Sequence, residues 1–322
     1  MKKLVNGVLA AVICLYLLPL EALAVRQLIP VGKVVGLELR NDTVCVAAFD
    51  DLIGASAKAA GLQIGDEILH IDGVVVDDAT DVRQALERSD GQVNLTVLRN
   101  EKEQELKLTP TITADGPRLG VYLRQGVTGI GTVTWYDPAT GAFGTLGHGV
   151  NNGKGELVAM TAGQAYSASV LSVKRGKCGE PGQLRGGVDG GGVLGTLNKN
   201  TVRGVFGTAD TGWQGKTVET AATDEIRTGP ATICSTVSGD TVREYSVEIL
   251  KIYPNSKADG RNMLLRVTDP ALLAATGGIV QGMSGSPIIQ DGKLIGAVTH
   301  VLVNDPTTGY GIFIENMLNA AA

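Results

Sequence analysis

A serine between two glycines, near the C-terminal end of the chain, constrains the fold most. The segment Gly282-Met283-Ser284-Gly285-Ser286-Pro287 has the form G-x-S-G-S-P and leads into an apolar run. The glycines let the backbone turn tightly, so the N–H groups of Gly282 and Ser284 can point into one hole beside the serine hydroxyl. Such a hole stabilises the oxyanion that forms when a serine attacks a carbonyl. The alternative interpretation is a plain turn between two strands.

The composition predicts a globular, mainly β protein. The chain has 322 residues, which is enough for two domains, and its 43% hydrophobic and 19% charged residues are not typical of a disordered protein. Its 44 glycines and 4% aromatic residues favour many short strands and tight turns over long helices. A net charge of −5 without a long basic run argues against nucleic-acid binding.

The N-terminus has the pattern of a targeting segment. A positive pair, Lys2-Lys3, precedes an apolar stretch over residues 8–20, and Ala22-Leu23-Ala24 has the A-x-A form of a cleavage site. A membrane-spanning helix needs about 20 apolar residues, so the shorter stretch favours a cleaved signal over an anchor. Residues 1–24 are therefore predicted to be a signal peptide or signal anchor, and the rest of the chain is predicted to be exported.

The cysteines do not predict a metal site. Cys14 lies in the targeting segment, and Cys45, Cys178 and Cys234 remain, without a C-x-x-C pair. In an oxidising compartment Cys178 and Cys234 either form a disulfide or stay as buried thiols, and the sequence leaves both open. No metal or other cofactor is expected.

Residues 32–112 are predicted to form a small α/β module. Strands are expected over residues 34–39, 43–48 and 68–71, helices over 54–62 and 78–88, and a hairpin over 92–108. The segment AGLQIGDEILHIDG, residues 60–73, closely resembles the most recognisable stretch of PDZ domains. That resemblance implies that a peptide adds as a strand near Leu37 and Leu39, with its carboxylate held by N–H groups around Val35, Gly36 and Leu37. The alternative is a spacer with an empty groove.

Residues 116–322 are predicted to form a second, larger domain after a linker over residues 110–117. Short apolar runs alternate there with glycine-rich turns, and the densest glycine cluster, residues 186–192, is expected to be a mobile loop. A nucleotide-binding loop is disfavoured because no Gly-Lys-Ser/Thr follows the cluster. A span of this length suits a pair of six-stranded antiparallel barrels.

A reactive serine needs a base, and the chain has three histidines. His70 alternates with apolar residues in the first module and is interpreted as structural. His148 lies between two glycines at the end of a predicted strand, far upstream of Ser284, which fits a base supplied by the first barrel. His300 follows Ser284 closely and is expected on the strand that walls the specificity pocket. His148 is therefore the predicted base.

The third member of a catalytic triad would be a carboxylate that orients the imidazole. Spacing alone leaves four candidates open: Asp210, Asp224, Asp240 and Asp269.

Four segments resemble the stage IV sporulation protein B (SpoIVB) serine peptidases. They are residues 129–138 (GIGTVTWYDP), 146–148 (LGH), 276–287 (TGGIVQGMSGSP) and 296–312 (GAVTHVLVNDPTTGYGI). The resemblance covers nearly the whole chain, including the order of signal, PDZ domain and peptidase. It implies that Asp269 orients His148, that His148 takes the Ser284 proton, and that Gly282 and Ser284 form the oxyanion hole.

The resemblance also implies a fold and a role. The fold is mainly β, with an N-terminal PDZ domain followed by a chymotrypsin-like double β-barrel. The activity is that of a serine endopeptidase in the space between the forespore membranes of endospore-forming bacteria. Such an enzyme cleaves itself near its N-terminus, which frees it from the membrane. It also cleaves the extracytoplasmic part of a regulatory membrane protein, which releases an intramembrane protease to process a sigma-factor precursor.

Two other functions stay open at this stage. The chain could be a catalytically idle PDZ scaffold that keeps the peptidase fold as a docking surface. It could also be a quality-control protease of the HtrA type that recognises exposed C-termini. HtrA proteases place the PDZ domain after the peptidase and usually carry G-N-S-G-G-P, so they fit this sequence less well.

Overall fold

The computed structural model describes residues 26–100, 102–152, 155–254 and 260–322. The targeting segment predicted for residues 1–24 lies outside these ranges. Within them, none of the helices combines the length and apolar character needed to cross a bilayer.

The described residues form twenty strands and four α-helices, numbered here in chain order. The strands are β1 (Gln27–Pro30), β2 (Val34–Phe49), β3 (Glu67–Ile71), β4 (Val74–Val75), β5 (Val93–Arg99), β6 (Lys102–Leu108), β7 (Thr111–Thr113), β8 (Gly116–Arg118), β9 (Val121–Tyr136), β10 (Ala142–Thr145), β11 (Ala162–Lys174), β12 (Gln183–Thr201), β13 (Gly204–Ala209), β14 (Val218–Glu219), β15 (Gly229–Thr236), β16 (Val242–Ile252), β17 (Met263–Val267), β18 (Pro287–Gln290), β19 (Lys293–Leu302) and β20 (Asp305–Phe313). The helices are α1 (Ala55–Ala59), α2 (Ala79–Arg88), α3 (Pro270–Thr276) and α4 (Ile314–Ala321).

Two six-stranded antiparallel barrels form the larger part of the molecule. In the first, the order β2-β9-β10-β13-β12-β11 returns to β2, because β2 pairs with both β9 and β11. In the second, β15-β16-β17-β20-β19-β18 closes on itself. Each barrel encloses its own apolar core, around Phe143 in the first and Ile288 in the second. The predicted fold class, mainly β with a double barrel, is confirmed.

The α/β module extends from the first barrel between two neighbouring strands. Residues 34–39 of β2 pair with residues 127–132 of β9 in the barrel, and residues 44–49 of β2 pair with residues 121–125 of β9 in the module. The sequence predicted a module starting at residue 32, but residues 34–40 of β2 belong to the barrel sheet. The strand continues past residue 40 because no glycine or proline interrupts it until residue 54.

This arrangement corrects the predicted peptide-binding strand. Leu37 pairs with Gly129 of β9 on one side and with Ala165 of β11 on the other. Val35, Gly36 and Leu39 lie in the same doubly paired segment. Their backbone groups are committed to the barrel ladders, so an added peptide strand finds no free edge there.

The α/β module has a core of its own and a well-capped helix. Asp78 caps α2 by accepting hydrogen bonds from the backbone of Thr80 and Asp81, and the Asp81 side chain completes the capping box. Asp66, only 1% exposed, is held by Arg99 through two bonds of 2.6 and 2.7 Å. The two predicted helices and the hairpin of β5 and β6 are confirmed.

Two segments predicted to be irregular contain strand. Residues 186–188 of the glycine cluster pair with β11, whereas residues 189–192 form a bulge of β12 between the pairs Ala168–Val188 and Tyr166–Val193. The predicted linker contains the hairpin of β7 and β8. Glycine suits β12 where a neighbour approaches closely: a Cβ on Gly186 would lie 3.0 Å from Ser169 O.

A fourth apolar cluster joins the two barrels. It combines Trp135 and Phe206 of the first barrel with Ile312 of the second, and Met317 and Leu318 of α4 pack onto it. The C-terminal helix therefore fixes one barrel against the other, and the residues between them form a defined cleft.

Candidate active site

A cleft of about 740 Å3 opens where the two barrels meet. Ser284, His148 and His300 all line it, whereas His70 lies on β3 of the α/β module. The remaining wall is largely apolar, with Leu37, Ile130, Val301 and other aliphatic side chains, and among the described residues that line it there is no Asp, Glu, Lys or Arg. The fold thus brings the predicted nucleophile and the predicted base into one cleft, although they lie far apart in the sequence of the larger domain.

The turn that carries Ser284 is shaped by its two glycines. Gly282 and Gly285 have φ values of +98° and +97°, which favour glycine strongly. Thr132 of β9 fixes this turn: its N–H donates to Ser284 O at 3.1 Å and its hydroxyl donates to Gly282 O at 2.8 Å. The first barrel therefore holds the nucleophile loop of the second.

The predicted oxyanion donors are unengaged. Within the described residues, the N–H groups of Gly282 and Ser284 donate no hydrogen bond, whereas that of Gly285 donates to Val298 O. A half-buried N–H pair beside a serine hydroxyl is the arrangement that stabilises a developing oxyanion.

The Ser284 hydroxyl donates to the main-chain oxygen of Thr299 at 2.8 Å. Its single proton is therefore not donated to either histidine. In structures without substrate, the bond between nucleophile and base is often long or absent and forms only when substrate is bound. A rotation of the serine side chain is needed before His148 can take its proton.

His148 follows two residues in the left-handed region, Leu146 at φ +66° and Gly147 at φ +70°. A Cβ on Gly147 would approach Thr299 of the second barrel to 2.8 Å, so the turn is packed tightly across the cleft. A positive φ at the non-glycine Leu146 is a strained conformation of the kind found at functional sites.

The protonation of His148 follows from its surroundings. Nδ1 lies 2.9 Å from Gly149 O, and since a carbonyl oxygen only accepts, Nδ1 carries the proton. Burial lowers the pKa of His148 below its usual value of 6.5, which the hydrogen bond to Gly149 offsets only in part. The ring is therefore neutral at pH 7, with the lone pair on Nε2.

Asp269 is not brought to His148. One carboxylate oxygen accepts from the N–H groups of Ala271 and Leu272 at 2.9 and 3.0 Å, and caps α3. The other oxygen lies 3.4 Å from the N–H of Ser246. The hydrogen bond between His148 and Asp269 implied by the resemblance is thus absent from this structure.

The roles of three residues of the site were not predicted from the sequence. Thr132 braces the nucleophile loop, Thr299 accepts the serine hydroxyl, and Asn200 of β12 holds the chain that follows His148. Thr132 and Thr299 do fall within segments that carry the SpoIVB resemblance. Nothing in the sequence distinguishes Asn200, because its role depends on strand pairing.

The cysteines of the larger domain differ in their exposure to solvent. Cys178 is exposed and Cys234 is buried, and within the described residues neither forms a disulfide. Burial raises the pKa of Cys234 to about 11, so its thiol is inert at neutral pH. Across the described ranges, no cluster of three or more His, Cys, Asp or Glu side chains could hold a metal ion.

The α/β module has a second cleft, of about 470 Å3, between α2 and the first part of β9. Val82 and Leu86 of α2 face Val121 and Leu123 across it. Residues 121–125 pair with β2 on one edge, and no strand in the described part of the chain pairs with the other edge. This cleft therefore offers an unpaired strand edge to which a peptide can add, whereas residues 35–39 of β2 offer none.

Comparisons with known protein families match two parts of the chain. A family model described as SpoIVB peptidase S55 matches residues 115–318. A model described as PDZ domain matches residues 53–99, which lie within the α/β module.

Solved structures resemble the chain only distantly. The Rv3671c protease from M. tuberculosis in its active form is 15% identical over 62% of this chain and 73% of that chain, with a TM-score of 0.37. Its inactive form is 14% identical over 61% and 85%, with a TM-score of 0.34. Similarity at this level does not establish a shared mechanism.

Proposed function

Since this chain belongs to the SpoIVB peptidase S55 family and is a serine endopeptidase with a PDZ domain, we propose that Ser284 and His148 perform its chemistry. The observation that carries the proposal is the single cleft in which both residues stand beside the unengaged N–H groups of Gly282 and Ser284. No metal or other cofactor takes part in the proposed reaction.

The proposed reaction has two halves. Nε2 of His148 takes the proton from the Ser284 hydroxyl as its oxygen attacks the scissile carbonyl, and the N–H groups of Gly282 and Ser284 hold the oxyanion. His148 then gives the proton to the departing amine, which leaves an acyl-enzyme. Water, deprotonated by His148, releases the acid and regenerates the serine.

The substrate is proposed to be an extended protein segment with apolar side chains near the scissile bond. Strand β18 pairs with β19 as far as Ala297, and Val298 bonds to Ser286 and Gly285, so an extended substrate is proposed to lie along β19 from Thr299 onward. Thr299 O lies at the start of this stretch, and Val301 lines the cleft. An apolar wall without charged residues favours aliphatic over charged side chains.

The PDZ domain is proposed to bind an extended peptide in the cleft between α2 and residues 121–125. The free edge of β9 supplies backbone hydrogen bonds for an added strand, and Val82, Leu86 and Leu123 receive apolar side chains. The ligand is either the N-terminal region of the chain itself or the target protein, and its binding times the cut.

The biological setting is proposed from the family. SpoIVB peptidases take their name from stage IV of sporulation, which supports a signalling role in endospore-forming bacteria. The enzyme would act after export, in the space between the forespore membranes, and be tethered there until it cleaves itself. Its target would be the extracytoplasmic part of a regulatory membrane protein, whose cleavage releases an intramembrane protease for sigma-factor processing.

The test compares the exported part of wild type with Ser284→Ala. Both are incubated alone and with a fluorophosphonate, and new N-termini are identified by mass spectrometry. We expect self-cleavage and labelling in wild type, and a loss of several orders of magnitude in Ser284→Ala. Equal trimming in both proteins would contradict the assignment of Ser284. A folded wild type that is neither labelled nor cleaved would favour an idle scaffold.

The range of substrates distinguishes a signalling protease from the remaining alternative, a quality-control protease. Narrow cleavage of one membrane-protein fragment supports a signalling protease. Broad digestion of casein would instead support quality control of the HtrA type.

A further inference from the structure

The hydrogen bond that orients the catalytic base ends on the main chain. In triads of the chymotrypsin type, a buried carboxylate accepts the Nδ1 proton of the histidine and so fixes the tautomer. Here the acceptor within reach of Nδ1 is Gly149 O, at 2.9 Å. A carbonyl selects the same tautomer as a carboxylate, because either one can only accept.

The chain around Gly149 is held rigidly. A Cβ there would collide with the Leu157 side chain and would lie 2.7 Å from Thr201 O, so this position fits only glycine. The next residue, Val150, is clamped by the amide of Asn200. That amide accepts from Val150 N at 2.9 Å and donates to Val150 O at 2.9 Å.

Asn200 also ties in a second stretch of the same loop. Its amide nitrogen donates to Val158 O at 2.9 Å, so one side chain fixes the loop at both of its ends. Asn200 lies on β12 and pairs there with Val205 of β13, which anchors it in the first barrel. The direction of the Gly149 carbonyl therefore depends on a side chain outside the cleft.

Within the described residues, no carboxylate competes for this place. One Asp269 oxygen accepts from the N–H groups of Ala271 and Leu272 at the start of α3, and the other accepts from the N–H of Ser246 on β16. Among the residues that the structure describes, the cleft lining has no Asp or Glu, and the only hydrogen bond of the His148 ring is to Gly149. Burial lowers the pKa of His148, and the hydrogen bond to Gly149 raises it in part.

We propose that the Gly149 carbonyl, held in place by Asn200, orients His148 where a carboxylate does so in a triad, and that Asp269 is a helix cap. This rests on the proposed function of Ser284 and His148. The proton then moves from the Ser284 hydroxyl to Nε2 and on to the leaving amine, while the Nδ1 proton stays in place. Asn200 is a positioning residue, since it acts through the loop and touches no reacting atom.

The decisive variant is Asp269→Asn. An asparagine oxygen can still accept from Ala271 and Leu272, so the cap is kept while the charge is lost. We expect the rate of fluorophosphonate labelling to stay within about threefold of wild type. Removing the charge of a triad aspartate lowers kcat by about 10^4-fold through the wrong tautomer, so a fall of that order would overturn the proposal.

The positive test is Asn200→Ala, with Asn198→Ala as the matched control. Asn198 lies on the same strand, and its side chain donates to Thr208 Oγ1 at an exposed position. We expect labelling to slow at least about tenfold in Asn200→Ala, by analogy with the 10- to 100-fold effects of outer partners of a functional histidine, and not to change in Asn198→Ala. Equal rates in wild type and a folded Asn200→Ala would overturn the role of Asn200.

Nitrogen NMR of the histidine rings gives a readout that does not depend on rate or on folding of the Asn200 variant. With three histidines in the sequence, ring-labelled protein yields few signals. We expect the Nδ1–H form of His148 in wild type and unchanged in Asp269→Asn. A switch to the Nε2–H form in Asp269→Asn would contradict the proposal. Labelling that is equal in wild type and Ser284→Ala would instead show that the proposed function itself is wrong.

Discussion

The imidazole rings of His148 and His300 lie with centroids 5.4 Å apart and planes inclined by 42°. One ring comes from each barrel, so the pair spans the cleft beside Ser284. Their closeness means that either ring, considered alone, could be taken for the base. The hydrogen bond from His148 to Gly149 is what leaves Nε2 of that ring ready to accept a proton.

Substitution of the two histidines should have unequal effects. We expect His148→Gln to lower the fluorophosphonate labelling rate by at least about 10^3-fold, as for removal of a general base. His300→Gln should stay within about tenfold of wild type, because His300 is assigned to the cleft wall. Labelling rates of purified, folded variants check this. A reversed order would make His300 the base.

On acidification, activity should fall to half only at a pH below the ordinary histidine pKa. Burial lowers the pKa of His148 from 6.5, and only the neutral ring can act as a base. The labelling rate, measured from about pH 4.5 to 8, is therefore expected to fall to half at a pH below 6.5. A midpoint above that value would contradict a neutral, desolvated base.

The same shift links pH to stability. Because the unfolded chain binds this proton more readily than the folded one, the contribution of His148 is full above about pH 6.5 and is lost as the pH falls below it. Urea unfolding of wild type and His148→Gln at pH 7.5 and pH 5.5 measures it. We expect a larger loss of stability on acidification in wild type. An equal loss in both proteins would assign it to other groups.

Gly285 should tolerate no side chain. A Cβ there would collide with Thr132 O and would lie 2.6 Å from Leu146 N, at the contact between the nucleophile loop and the first barrel. We expect Gly285→Ala to abolish labelling and to destabilise the protein by more than the roughly 1 kcal/mol that a positive φ alone costs. Thermal unfolding and labelling measure the two effects.

Gly292 provides the matched control for backbone strain. It also has a positive φ, +77°, but a Cβ there meets no atom within 4 Å. Gly292→Ala should therefore lose about 1 kcal/mol and keep its labelling rate. If the two alanine variants behave alike, strain and not the barrel contact explains Gly285.

Removal of Arg99 should destabilise the PDZ domain. It would leave the Asp66 carboxylate, 1% exposed, without its charged partner, which costs roughly 3–5 kcal/mol for a buried pair. Hydrogen exchange of the domain amides, measured for Arg99→Ala in the whole chain, reports this loss. Arg88→Ala is the control, because Arg88 contacts only Gln84 at the surface and should change stability by less than about 0.5 kcal/mol.

The sequence predicted what local chemistry determines. The G-x-S-G-S-P turn, the glycine-flanked His148 and the capped helix α2 were all found where their patterns placed them, because each depends on a few neighbouring residues. The double barrel followed from many short strands, and the family resemblance agreed with it. These features need no knowledge of distant pairing.

The errors came from pairings that no local pattern encodes. Residues 34–39 have the alternation of a PDZ strand, and equally that of a barrel strand; only their pairing with β9 and β11 decides. The glycine cluster of β12 was predicted to be a loop because its sequence alone does not show the pairing with β11.

The continuity of β2 and β9 has a consequence for the order in which the chain acquires its structure. The barrel halves of these strands are separated by the whole PDZ module, so joining them directly closes a long loop at a high entropic cost. The module contains the other halves of the same two strands and can pair them first. Once it has folded, the barrel halves lie adjacent and in register, and they pair as in a hairpin. The inserted domain thus holds together the two strands whose pairing closes the first barrel beside the active site.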